Sequence, residues 1–434
     1  MSDGIFFWTC WFLMTAYCTR LVTQGLRHPN KILEFPFLSG CICLYFYSYM
    51  GFTAYYNFDG IIDLSIASVS LLFALSCILA IELGWNIGMS RPFDVDVVKH
   101  SYPNDRMWWT GMVLVLSATI IHLFNRNLVS NALSNGNANS QITLEGSSGY
   151  FYLFFQIGYC GMMLVAYSVS VMDSKVSKKF LVCSAAMFLA FIFPHILQAK
   201  RGPLFPFAII VLFLPPLARK CDPRRLLVVT GFAATGFAML LFVEARKFVY
   251  SQGSWSDVWE SIDLQRVLTS KVSKITDNEF VNSGYLMETV MDTQAYQLGT
   301  GHLGLFIHWI PRQLWNDKPM IGAGWFPTSD LLEELDRVSG LSIKGSGAAA
   351  GGFADSFVQY GFFAPVFWFF LTLFFAKHLA TYRSTGSVPS LFSYMVLPCC
   401  SLWLLSQGFA AAFVPGAILL LCPLIVFRFI RLPS

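Results

Sequence analysis

Arg312 and Lys318 stand six residues apart in the stretch His308 to Gly324, HWIPRQLWNDKPMIGAG, with Pro311 and Pro319 beside them and Trp315 between them. A guanidinium binds phosphate oxygens bidentately and stays charged at every relevant pH, while an ammonium adds a compact point charge. Lys200 and Arg201 in AKRGP and Arg246 in EARKF are further cations of the same kind, and together the set suits an anionic ligand. Glu288 and Asp292 in YLMETVMDTQAY are spaced i, i+4 and so share a helical face. That pair can hold sugar hydroxyls, accept a proton, or simply form an exposed polar face. His302 and His308 are six positions apart, nearly opposite each other on a helix, and are poor co-ligands; each is either a base or a hydrogen-bonded structural histidine. There is no HExxH and no CxxC, so neither a metal nor a cofactor is expected.

The elements that carry these residues are oily. Of 434 residues, 55% are hydrophobic and only 12% charged, against roughly 25% charged in a soluble domain. Apolar runs of about 20 residues, the length that crosses a hydrocarbon core as a helix, recur along the chain. Alternating strands of the outer-membrane barrel type do not appear. The reading is an all-α integral membrane protein with about 11 transmembrane helices, at residues 5–22, 35–56, 61–84, 107–124, 150–172, 180–197, 203–218, 226–243, 356–376, 390–408 and 411–427. Three parts follow: eight helices in 1–243, a large external loop in 244–355, and three helices in 356–434. None of the 11 Cys falls between Glu244 and Asp355, which excludes a disulfide framework there. Within that interval, residues 254–274 read as an amphipathic helix on the membrane surface, and LGTGHLGLFIHWIP as a re-entrant or interfacial segment ending at Pro311. The Asn- and Ser-rich stretch 125–149 reads as a loop without chemistry.

Charge sets the orientation. Alternate short loops and the C-terminus hold 17 of the 29 basic residues, which places the C-terminus in the cytoplasm and the interval 244–355 outside. Lys200 with Arg201, and Arg246 with Lys247, then sit on the wrong side for this rule. Either pair alone fits a helix C-terminus or snorkelling. With Arg312 and Lys318 they point to anion binding. Cations, aromatic rings on which sugars stack, and carboxylates on an external face together imply a lipid-linked oligosaccharide as ligand. A nucleotide-sugar donor would call for a cytoplasmic site, and the DVD at 94–96 reads as solvated loop.

The stretch GHLGLFIHWIPRQLWNDKPMIG resembles the signature of bacterial oligosaccharide repeat-unit polymerases (O-antigen polymerases, Wzy-type), which carry an iPR-x-lW-x-x-KP segment in a large external loop. GGFADSFVQYGFFAPVFWFFL is similar to that family's entry into the next span, and LQAKRGP to its KRG at the outer end of a helix. Asp355 stands where the family has Glu, keeping the charge but shortening the reach, and Ala364 stands where a second Gly is common. The resemblance covers about a third of the chain, from Gln198 to Phe370. It implies a glycosyltransferase with a GT-C-like fold, in the inner membrane with its active site in the periplasm. The substrate it implies is undecaprenyl-pyrophosphate-linked oligosaccharide, polymerised into O-antigen or a related surface polysaccharide of lipopolysaccharide biosynthesis. A chain-length regulator in the same membrane is a further partner, and nucleic acid is not one. On this reading Arg312, Glu288, His302 and Asp355 form the catalytic set, and Lys200, Arg201, Arg246 and Lys318 bind the pyrophosphate. An O-antigen ligase and a lipid-linked oligosaccharide flippase are the alternatives.

Overall fold

A computed structural model describes residues 3–57, 63–94, 102–134, 156–172, 174–197, 202–250, 278–308, 315 and 351–430. They form helices α1 (Asp3–Arg27), α2 (Phe35–Cys43), α3 (Met50–Asn57), α4 (Leu64–Ser90), α5 (Asn104–Ser134), α6 (Ile157–Val171), α7 (Ser174–Leu197) and α8 (Leu204–Ala218). They continue as α9 (Arg225–Tyr250), α10 (Glu279–Thr293), α11 (Thr300–His308), α12 (Gly352–Tyr360), α13 (Ala364–Thr385), α14 (Val388–Ser406) and α15 (Phe409–Ile430). Among the described residues there is no strand.

Among the described residues, seven stretches are long and apolar enough to cross a membrane, as a helical multi-pass protein requires: Asp3–Arg27, Phe35–Tyr56, Leu64–Ser90, Arg225–Phe242, Gly352–Thr385, Val388–Ser406 and Ala411–Ile430. Of the other apolar runs, two form short helices, Ile157–Val171 and Leu204–Ala218, while Phe180–Ile196 is the apolar part of the 24-residue α7. At 1.5 Å per residue, the 15 residues of α6 and of α8 reach only about 22 Å, short of the roughly 30 Å core. The remaining run, 107–124, lies inside α5, which continues through the stretch read as a loop until Ser134. Likewise α9 runs on past residue 243 to Tyr250 and takes in Arg246.

The chain divides into two compact units. One comprises Met1–Arg91, Thr269–Lys377 and Ser401–Phe413. Its scaffold is α1, α2 and α4; an ion pair of Arg20 with Glu82, which also takes the Tyr17 hydroxyl, joins α1 to α4. The run Phe35–Tyr56 widens into a π turn at Leu44–Tyr49. Side-chain donors reach carbonyls there: Trp11 Nε1 donates to Ser48 O at 2.7 Å and Asn278 Nδ2 to Met50 O at 3.1 Å. Asn278 also caps α10, accepting from the Phe280 and Val281 amides. One residue therefore starts α10 and ties it to α3.

The other unit comprises Pro92–Leu268, His378–Cys400 and Val414–Ser434. In it α5 packs on α6, where Gly111 and Gly161 let the two backbones touch. Trp108 Nε1 donates to Ser184 Oγ at 3.0 Å, and Tyr382 OH donates to Leu217 O at 2.9 Å, so buried donors find partners in a water-poor setting.

Candidate active site

The residues with chemical potential in the first unit gather where three segments meet: the start of α11, the end of α12 and the start of α15. α12 runs from Gly352 to Tyr360 and is followed by Gly361, whose φ of +56° breaks the 34-residue apolar stretch Gly352–Thr385. That stretch exceeds the roughly 20 residues a span needs, so α12 is the excess at one end.

The last carbonyls of a helix lack intrahelical partners. Here the incoming segment supplies them: the Gln297 amide donates to Val358 O and the Gly299 amide to Gln359 O, both at 2.9 Å. The Gln359 side chain completes the clamp. Its Oε1 accepts from the Gly301 amide at 3.1 Å, and its Nε2 donates to Gln297 Oε1 at 2.5 Å. Gly301 has no side chain to push this amide pair aside. The next residue, His302, is thereby delivered against α12.

His302 is 5% exposed and is engaged at both ring nitrogens. Nε2 lies 3.4 Å from Asp355 Oδ2, and Nδ1 lies 2.9 Å from the Tyr360 hydroxyl. Asp355 Oδ2 also accepts from the Phe409 amide at 2.8 Å, a free donor at the first residue of α15. Gly408, immediately before it, has φ +117°, and a Cβ there would stand 2.7 Å from that carboxylate oxygen. Tyr360 leaves the helix with φ −129° and ψ 0°, turning its ring toward His302 and stacking it on Phe367 at 5.3 Å. The imidazole is boxed by the rings of Tyr360, Phe367 and Phe409, at 5.3, 5.4 and 4.6 Å.

Two of the sequence candidates, His302 and Asp355, are thus brought together across 53 positions. Glu288 belongs to another place. It lines a cleft on α10 with Asp63, Ile66, Phe280 and Tyr285, and among the described residues no hydrogen bond or ion pair links it to His302 or Asp355. Burial, then the charges of Asp292 and Asp63, raise its pKa above the ordinary carboxylate value. Arg246 lies on α9, which belongs to the second unit. Lys200, Arg201, Arg312 and Lys318 lie outside the described residues, as do the stretches 254–274 and 95–96. Of the PR-x-LW-x-x-KP segment, Trp315 alone is described, and it is 39% exposed.

Sequence reasoning missed Tyr360, Gln359, Gln297 and Phe409. Asp355 and Gln359 are i, i+4 and share a face, so Gln359 carried a signal; Tyr360, at i+5, reaches the histidine only because the helix ends there. Around the site Leu298, Leu303, Phe306, Phe362 and Phe363 are all more than half exposed, an apolar rim of the kind that meets lipid. In chemical terms the corner holds a carboxylate, an imidazole and a phenol in a hydrogen-bonded row, which is proton-transfer equipment beside an apolar surface. Compared with protein-family models, with curated proteins and with solved structures, the chain matches none.

Proposed function

We propose that this protein is a membrane glycosyltransferase that polymerises oligosaccharide repeat units carried on a lipid pyrophosphate, at the outer face of the inner membrane. The observation that carries the reading is the His302–Asp355 contact. It joins the two stretches, GHLGLFIHWIPRQLWNDKP and GGFADSFVQYGFF, that resemble the repeat-unit polymerases. Polymerisation needs a base for the acceptor hydroxyl and cations for the leaving pyrophosphate. The first is supported by the proton-transfer row beside an apolar rim, the second by Arg312, Lys318, Lys200, Arg201 and Arg246 in the sequence. Neutralising the charge that grows on a departing pyrophosphate is the kind of electrostatic help that dominates many enzymatic rate enhancements.

The test is twofold. A strain lacking the protein should accumulate single lipid-linked repeat units facing outward, and the purified protein should elongate such units in vitro. Accumulation in the cytoplasmic leaflet would make the protein a flippase. Normal-length chains left unattached to their final acceptor would make it a ligase.

A further inference from the structure

The row of hydrogen bonds has a direction. An ionised carboxylate can only accept, so His302 Nε2, facing Asp355 Oδ2, is the nitrogen that carries the proton. In neutral imidazole the other nitrogen is then an acceptor, and Tyr360 OH, 2.9 Å away, must be its donor. With both nitrogens occupied and the ring boxed by Phe367 and Phe409, His302 has no lone pair to offer a substrate. The free lone pairs of the row are on the phenolic oxygen of Tyr360, which is less buried than His302.

We infer that Tyr360, rather than His302, is the group that takes the proton from the acceptor sugar, resting this on the polymerase reading. As the acceptor oxygen attacks the anomeric carbon of the donor chain, its O–H proton passes to the Tyr360 oxygen. The phenol's own proton moves to His302 Nδ1, and Asp355 balances the resulting imidazolium. The new glycosidic C–O bond forms as the bond from the anomeric carbon to the pyrophosphate oxygen breaks. That bond's electron pair leaves with the lipid pyrophosphate. Afterwards His302 returns its proton to Tyr360, which releases the extra one to water. Tyr360 is the catalytic residue of this row; His302 and Asp355 are positioning residues that act through it.

The ring of Tyr360 is held independently of its hydroxyl, by stacking on Phe367 and by Gly299, where a Cβ would stand 3.1 Å from it. Tyr360→Phe therefore removes the port and keeps the packing. In full-length protein in lipid nanodiscs, Tyr360→Phe and His302→Gln should each lower elongation of lipid-linked repeat units by about 100- to 10,000-fold. The double variant should lose no more than the worse single one, as expected of groups acting in one chain. Turnover by Tyr360→Phe at or above the wild-type rate would overturn the inference, because unmasking Nδ1 would then have made a direct base. A second readout needs no activity: the 15N resonances of His302, assigned by their absence in His302→Gln. They should show Nδ1 unprotonated and accepting, with a shift in Tyr360→Phe. A protonated Nδ1 in the neutral ring overturns the relay whatever the substrate. Failure of the wild-type protein to elongate, with Nδ1 as inferred, would instead sink the polymerase reading and leave the relay in place.

Discussion

Helices α5 and α6 meet at Gly111 and Gly161, while the three segments of the candidate site meet at Gly299 and Gly408. In the helix pair, a Cβ on Gly111 would lie 2.7 Å from the Gly161 carbonyl oxygen, and one on Gly161 would lie 2.6 Å from that of Gly111. Both are helical, and the missing side chains are spent on backbone contact, the usual source of adhesion between helices that gain nothing from leaving water. In the site, Gly299 and Gly408 have φ of +83° and +117°, conformations that other residues rarely adopt. There the vacated space is filled by the Tyr360 ring and the Asp355 carboxylate. The same omission of an atom gives rigidity in one place and room for a reactive group in the other. Close packing of helices is therefore a stability feature, and the glycine turns of the site are a chemical one. The two should respond to substitution in different measurements.

The largest effect should come from Asp355→Asn. Asparagine can still offer an oxygen to the Phe409 amide but cannot balance an imidazolium, so elongation should fall about 100- to 10,000-fold at matched protein levels. Near wild-type turnover would reduce Asp355 to a cap for α15 and erase the chemical half of the comparison. Gly408→Ala should act in the same direction. It imposes about 1 to 3 kcal/mol of backbone strain and drives a methyl into the Asp355 carboxylate. Elongation should drop more than the thermal midpoint does; the reverse order would class Gly408 with the packing glycines.

For the helix pair, Gly161→Val should lower unfolding stability by about 1 to 3 kcal/mol through overpacking, read by thermal denaturation in detergent. Gly236→Ala on α9 is the control, because nothing lies within 4 Å of its added Cβ. It should be neutral or stabilising by up to about 1 kcal/mol through helix propensity. Equal losses for both would mean that close approach is not what the α5–α6 contact depends on.

The smallest effect concerns Glu288, which stands outside both regions. Its pKa is raised in the fold from the ordinary 4.5, chiefly by burial and then by Asp292 and Asp63. The folded state thus favours the neutral carboxyl, and its contribution is fully present in acid and lost as pH rises through the raised value. Glu288→Gln should therefore raise the midpoint slightly at pH 7, with the gain vanishing below about pH 4. A destabilised Gln variant at pH 7 would show that the ionised group holds a partner that the fold needs.

Much of the architecture was legible in the residues. Hydrophobic runs report helices because a lipid core leaves the backbone no other way to satisfy its polar groups, and among the described residues seven of the eleven runs read this way meet the length and hydropathy of a span. Length was the weak point: apolar composition does not say where a helix stops, and two runs end as helices of 15 residues. Single site residues were legible by type, as His302 and Asp355 were. Their partnership was not, since they are 53 positions apart and periodicity relates only residues within one helix. Tyr360 was hidden for a second reason. It meets His302 because α12 ends at Gly361 and the segment entering α11 docks on its last carbonyls, which are long-range backbone events. Local patterning thus determined which residues could be helical, buried or reactive. Which of them share a proton was decided by tertiary packing, because a hydrogen bond across α11, α12 and α15 exists only once all three backbones are in place.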